Sequence, residues 1–221
     1  MSKKVRFAIF IIGLIVLGAF YFFSREVKHG FLKQTDFDTT VRIQDRMPKR
    51  LDSMWENFSF FVEPGPSIII CGLLTIAAFV DRRKKKIRLR ALIIPLLFGI
   101  LVFGELYGKS VVHHPAPPFF MIKHPTAIFP QFYVNEQYSY PSGHTARATF
   151  FGLILLSIVA WGLPLVRKTM KKWIVIGGAT LMYILIVAIG HIYLGSHWLS
   201  DIIGGGLLGG ALGVMAFAFL Q

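Results

Sequence analysis

The sequence predicts an all-α integral membrane protein, a bundle of six transmembrane helices. Three observations carry that expectation. The 221 residues are 54% hydrophobic with a mean hydropathy of +0.60, too apolar for an ordinary soluble domain. Six apolar blocks fall at about 7–23, 64–80, 91–108, 142–163, 173–190 and 198–220, each near the ~20 residues that cross a hydrocarbon core as a helix. The basic residues sit in short clusters between these blocks, which is the pattern of membrane topology. A formal charge of +13 raises the question of nucleic acid. The clustering answers it: the expected partner is the lipid bilayer, and no nucleic acid.

Taken in order, the first block (7–23) is longer than a signal-peptide core. Aromatics and Arg25 follow it, with no small-x-small cleavage site, so it reads as a retained span. Residues 24–63 carry seven basic and seven acidic residues, and MWENFSFFV (54–62) has the character of an amphipathic interfacial helix. The second block (64–80) is among the shortest. The run DRRKKKIRLR (81–90) joins it to the third, and RKTMKK (167–172) joins the fourth to the fifth. With Lys3, Lys4 and Arg6 these runs hold 14 of the 24 Lys and Arg residues. The positive-inside rule puts them, and both termini, on the cytoplasmic side of a plasma or inner membrane. The opposite segment, 109–141, has five prolines between Pro115 and Pro130 and reads as a rigid irregular loop. The last block is rich in glycine (Gly204–Gly206, Gly209, Gly210, Gly213), and small residues four apart let helices pack closely in lipid. No internal repeat is visible. The chain reads as one membrane domain, 1–221, with 1–33 forming the first helix and the start of the outer loop. Cys71 stands alone, so no intrachain disulfide is possible.

Polar chemistry collects on one side. Six of the seven histidines (His113, His114, His124, His144, His191, His197) fall in the second and third outer segments, with Lys109, Arg147 and Asp201 close by. In YSYPSGHTAR (138–147), Pro141 suits a helix entry and Ser142 and Gly143 leave first-turn amides open. A helix N-terminus attracts anions, because its first N–H groups are unpaired and its dipole is positive there. Ser142 can equally be an N-cap. His144, on that turn, can give a proton to a leaving oxygen. In GHIYLGSHWLSD (190–201), His197 and Asp201 are four apart, which on a helix puts them on one face. A carboxylate beside an imidazole fixes its tautomer and raises its basicity, the arrangement of a nucleophile and its orienter. Lys109 can snorkel to headgroups or hold a phosphate as a point charge.

These three pieces together resemble the type 2 phosphatidic acid phosphatase superfamily, which includes lipid phosphatases and vanadium haloperoxidases. The family pattern is K-x6-R-P, then P-S-G-H, then S-R-x5-H-x3-D. P-S-G-H is complete at 141–144 and H-x3-D at His197 and Asp201, and order and spacing agree from about residue 34 to the end, so 34–221 reads as the phosphatase-like core. The resemblance implies that His197 is a nucleophile forming a phosphohistidine, that Asp201 orients it, and that His144 protonates the leaving alkoxide and then activates water. Lys109, Ser142 and Gly143 would hold phosphoryl oxygens. No metal and no cofactor is implied. Substrates of the class are lipid phosphates such as phosphatidic acid or phosphatidylglycerol phosphate, or a polyprenyl (undecaprenyl) pyrophosphate.

Two positions depart from the pattern. Ala116 stands where the first arginine falls, and Gly190-His191 replaces S-R. Exchanging bidentate arginines is not conservative. Three accounts stand open: His114-Pro115 takes the Arg-Pro place after a two-residue shift, Arg147 supplies a substitute guanidinium, or turnover is weakened, by engineering or by natural divergence. The favoured expectation is a divergent site in which His114, His191 and Arg147 grip the phosphate, working best with the imidazoles protonated. A catalytically weakened or inactive lipid-phosphate binder is the alternative, and a membrane protein using its histidines for a metal is a third class.

Overall fold

The computed structural model describes residues 1–81, 86–123, 137–162 and 170–220. His124 and parts of both internal basic runs lie outside the described residues. The fold is all-α, apart from a two-residue antiparallel pairing of Val80–Asp81 with Lys86–Ile87. The principal helices are α1 (Lys3–Lys28), α2 (Lys33–Arg46), α3 (Asp52–Ser59), α4 (Pro64–Phe79), α5 (Ile93–Val112), α6 (Gly143–Gly162), α7 (Met170–Tyr193) and α8 (Leu199–Leu220).

Helices stand at all six apolar blocks. In lipid a helix is the structure that pairs every backbone group within one segment. Four described helices are long and apolar enough to cross a membrane: Lys3–Lys28, Leu89–Val112, Trp173–Tyr193 and Leu199–Leu220. A fifth crossing arises if Lys49–Val62 and Pro64–Phe79 form one span bent by 53°. Gly143–Val159 is a shorter apolar helix. Helices therefore stand where the six spans are expected, and among the described residues four, or five with the bent pair, meet the length and composition of a crossing. The bend has a local cause. Glu63 is extended (φ −61°, ψ 153°), as a residue before proline prefers, and Pro64 takes the first helical position of α4, where a missing N–H costs nothing.

The segment expected to be interfacial is α3 followed by a 3-10 turn at Phe60–Val62. Trp55 and Ser59 face inward while Phe58 and Phe61 remain exposed. The bundle centres on α8, which packs along α1 and α6. Its glycines explain how closely. A Cβ on Gly205 would lie 2.3 Å from the Ser142 carbonyl oxygen, and one on Gly209 would lie 2.1 Å from that of Ala146. Only hydrogen fits at these two positions, so the backbones of α6 and α8 touch, as small residues four apart predict. This contact brings the first turn of α8 against the first turn of α6, where the polar residues gather.

Candidate active site

Ser142 is the N-cap of α6. Its Oγ accepts from the Thr145 N–H at 3.4 Å, and its own N–H donates to the Asp201 carbonyl at 3.0 Å. The cap therefore fastens the P-S-G-H turn to α8. Gly143 opens the helix against a side chain: a Cβ there would sit 2.1–2.3 Å from the carboxylate oxygens of Glu105. Glu105, on α5, is bridged by two cations. Lys109 Nζ lies 3.2 Å from Oε1, and Arg147 Nη1 lies 2.6 Å from Oε2. Arg147 Nε also donates to the Val62 carbonyl at 2.6 Å. The guanidinium expected to grip phosphate is thus held by the protein itself.

The H-x3-D pair meets differently from the helical expectation. His197 precedes α8, so the two residues do not share a helix face. Asp201 is the third residue of α8, and its Oδ2 accepts from the Trp198 N–H at the cap, 2.9 Å away, the reciprocal half of a capping box. The same oxygen lies 3.5 Å from His197 Nδ1. Its partner, Oδ1, lies 2.9 Å from His114 Nδ1. The other face of His114 looks to Asp36 of α2, with Nε2 at 3.8 Å from Oδ2. Asp36 in turn accepts from both the N–H and the hydroxyl of Ser200, each at 2.8 Å. Burial raises the Asp36 carboxyl above its ordinary range, and the Ser200 bonds pull it back in part. His114, expected at the phosphate, is turned instead to a carboxylate of the His197 pair, because the turn after α5 carries it there: Ser139 N–H bonds the His114 carbonyl at 3.0 Å.

Three imidazoles form the remaining wall. The His144 and His191 rings stack with centroids 4.0 Å apart, and His197 lies 5.7 Å from the first and 5.6 Å from the second. His144 Nε2 bonds Glu63 Oε1 at 3.0 Å. Burial raises the Glu63 carboxyl, against the pull of Arg147 and His197. One nitrogen of each ring lies within 4.8 Å of those of the other two. His113 is set apart, edge-on to Tyr138 at 4.8 Å.

Glu105, Asp36 and Glu63 were not among the residues singled out from sequence. For Glu105 a signal exists. Glu105 and Asp201 are the two acidic residues inside the six apolar blocks, and an acid in an apolar span needs a reason. Asp36 and Glu63 lie in the mixed-charge segment 24–63 and carry no such mark.

Fold and site define a multi-pass helical membrane protein with a buried imidazole–carboxylate centre at one end of its bundle. The chain belongs to the PAP2 superfamily, whose family model matches residues 91–221. Among solved structures, the fold is similar to the transmembrane PAP2-type phosphatidylglycerolphosphate phosphatase from Bacillus subtilis, with a TM-score of 0.74 at 16% identity over 92% of this chain and 93% of that one. It is also similar to Aquifex aeolicus LpxE, with a TM-score of 0.53 at 19% identity over 82% of this chain and 94% of that one. No curated protein matches the chain by sequence.

Proposed function

We propose that the protein is a membrane phosphatase that hydrolyses a lipid phosphate or pyrophosphate at the extracytoplasmic face, through a phosphohistidine and without a metal. One observation carries the reading: a buried His197–Asp201 pair with the His144 ring beside it, on the side of the bundle away from the basic loops. With Nδ1 of His197 toward Asp201, the lone pair of the other nitrogen attacks phosphorus. A P–N bond forms, the P–O bond to the lipid breaks, and the departing oxygen takes a proton from His144. Water then attacks the phosphohistidine. His144 accepts the water's proton, the P–N bond breaks, and phosphate leaves. Glu63 holds the second nitrogen of His144 throughout.

The phosphoryl oxygens fall to Lys109, to Gly143 at the head of α6, and to His191. Ser142 shapes that turn as its cap. His114 and Arg147 act one step back, His114 by holding Asp201 and Arg147 by holding Glu105. The phosphatidylglycerolphosphate named for the Bacillus subtilis neighbour is the first substrate to test, beside phosphatidic acid and undecaprenyl pyrophosphate.

The test is phosphate release from that panel in mixed micelles with chelator present, together with rapid quenching of labelled protein in alkaline denaturant. The expected result is turnover of at least one lipid and an acid-labile phosphoprotein that disappears in His197→Ala. Turnover that stops on chelation overturns the metal-free mechanism. The engagement of Arg147 and Lys109 by Glu105 favours a second reading, a lipid-phosphate binder. Binding without any phosphate release would establish it.

A further inference from the structure

We infer that His144, His191 and His197 also form a binding site for a divalent transition-metal ion of the zinc type, and that an ion bound there disables the nucleophile. The three rings come from three separate elements: the first turn of α6, the end of α7 and the lead into α8. One nitrogen of each lies within 4.8 Å of the others. Each ring also has one nitrogen facing an outer partner. His144 Nε2 meets Glu63 at 3.0 Å, His197 Nδ1 faces Asp201 at 3.5 Å, and His191 Nδ1 faces Ser196 Oγ at 3.4 Å. Metal-ligating imidazoles commonly have one nitrogen held by a carboxylate or hydroxyl; the His144–Glu63 bond has that form, and His197 Nδ1, like His191 Nε2, is buried without a hydrogen-bond partner. His191 supplies the second observation. The residue is 4% exposed, and its Nε2 is buried without a hydrogen-bond partner.

The donor set selects the ion. Neutral imidazoles suit zinc, cobalt, nickel or copper and not magnesium or calcium, which require oxygen. Zinc–nitrogen bonds of about 2.0–2.1 Å need ligand nitrogens roughly 3.3 Å apart. The rings must therefore draw together by up to about 1.5 Å, and the stacked His144 and His191 rings must turn so that their lone pairs converge, leaving a fourth position for water or a phosphoryl oxygen. Glu63 and Asp201 stand directly behind two of the rings and favour a cation. The site depends on this chain's departure from the family pattern, because a guanidinium at position 191 could not ligate.

Inhibition follows from one lone pair. The His197 nitrogen that attacks phosphorus is the one that an ion would take. This half rests on the phosphatase reading; metal binding does not.

The experiment uses the full chain in detergent, with any affinity tag removed and metals dialysed away, titrated with Co²⁺. The expected result is one equivalent bound with the visible bands of tetrahedral cobalt. Those bands are lost in His191→Arg and in His144→Gln, each checked for folding by size exclusion. Losing an outer partner of a ligating histidine costs about 10–100-fold in affinity, so losing a ligand shifts half-inhibition by Zn²⁺ by roughly 100-fold or more. Half-inhibition is read in His191→Arg against its own metal-free rate, and His144→Gln, which lacks the proposed general acid, is read by the cobalt bands alone. Absence of the bands, or bands undiminished in both folded variants, overturns the site. Bands that behave as expected while Zn²⁺ leaves the wild-type rate unchanged overturn the inhibition. If no lipid is hydrolysed at all, the phosphatase reading fails and the bands still decide the metal site.

Discussion

Asp201→Asn isolates the charge behind His197, the proposed nucleophile. Asp201 makes three contacts: His114 Nδ1 at 2.9 Å, Trp198 N–H at 2.9 Å and His197 Nδ1 at 3.5 Å. An asparagine can keep most of them. With its carbonyl toward Trp198 and its NH₂ toward His114, the His114 ring takes its other tautomer and turns an N–H to Asp36. The fold should survive. What is lost is a negative charge 3.5 Å from an imidazole that becomes positive as it bonds phosphorus. At an effective dielectric of about 20 that charge is worth about 5 kcal/mol. The asparagine dipole restores part of it, so kcat should fall by about three decades. KM should hold, because Asp201 touches no substrate atom in the proposed mechanism. Initial rates of phosphate release across substrate concentrations give both constants, with size exclusion as the folding control. A folded variant within tenfold of the wild-type kcat would refute the role given to the pair.

Other consequences follow from the same contacts. Glu105→Ala leaves the Arg147 guanidinium buried with its carboxylate gone, so thermal unfolding in detergent should show a loss of about 3–5 kcal/mol; a loss under about 1 kcal/mol would mean that the pair is solvated. The Asp36 carboxyl is raised by burial, so its ionised form is disfavoured in the folded protein. That penalty is absent below the unfolded carboxyl value, grows as pH rises from there to the folded one, and is constant above it. Asp36→Asn should therefore gain on the wild type in unfolding free energy as pH rises from the acid side, and a constant difference across pH would contradict the burial effect. Gly209→Val drives a Cβ against the Ala146 carbonyl, where 2.1 Å is left. It should cost at least about 1–3 kcal/mol and lower phosphate release with it, because the α6–α8 contact sets the distance between the P-S-G-H turn and Asp201. Full activity in Gly209→Val would show that the helices can separate without harm.

Much of this end of the bundle was legible in the residues. Spans could be read because apolar length has one meaning in lipid, and Pro64 and Ser142 mark helix starts by their own backbone chemistry. P-S-G-H and H-x3-D were legible because both halves of each motif are close in sequence. The contact of His197 with Asp201 was expected for the wrong local reason: the pair meets across a helix cap, not along a helix face. Partners far apart in sequence left no trace. His114 and Asp201 are 87 residues apart and His144 and Glu63 are 81 apart, and no periodicity encodes which carboxylate an imidazole turns to. The engagement of Arg147 by Glu105 was hidden for the same reason. Its nearest acid is on another helix, and only the packing of α5 against α6 brings Glu105 to it.

That packing has a consequence for how an anion is held. Asp36 takes the N–H of Ser200, and Asp201 takes that of Trp198, so the N-terminus of α8 is answered by protein carboxylates. Glu105 lies against the first residue of α6 and draws in Lys109 and Arg147. Among the described residues, these two cations are engaged by Glu105, while three further carboxyl groups, Asp201, Asp36 and Glu63, sit beside the imidazoles. A family pattern with two further arginines would tip that balance toward an incoming phosphate, and this chain has Ala116 and His191 in their places. In the proposed mechanism the phosphoryl group is left to the imidazole cluster. An imidazole meets phosphate well only with a proton and meets a transition metal well only without one. On the two readings proposed above, His191 would serve phosphate as a partner and a metal as a ligand, and His191→Arg should separate the two by keeping a cation for phosphate while removing the donor that a metal needs.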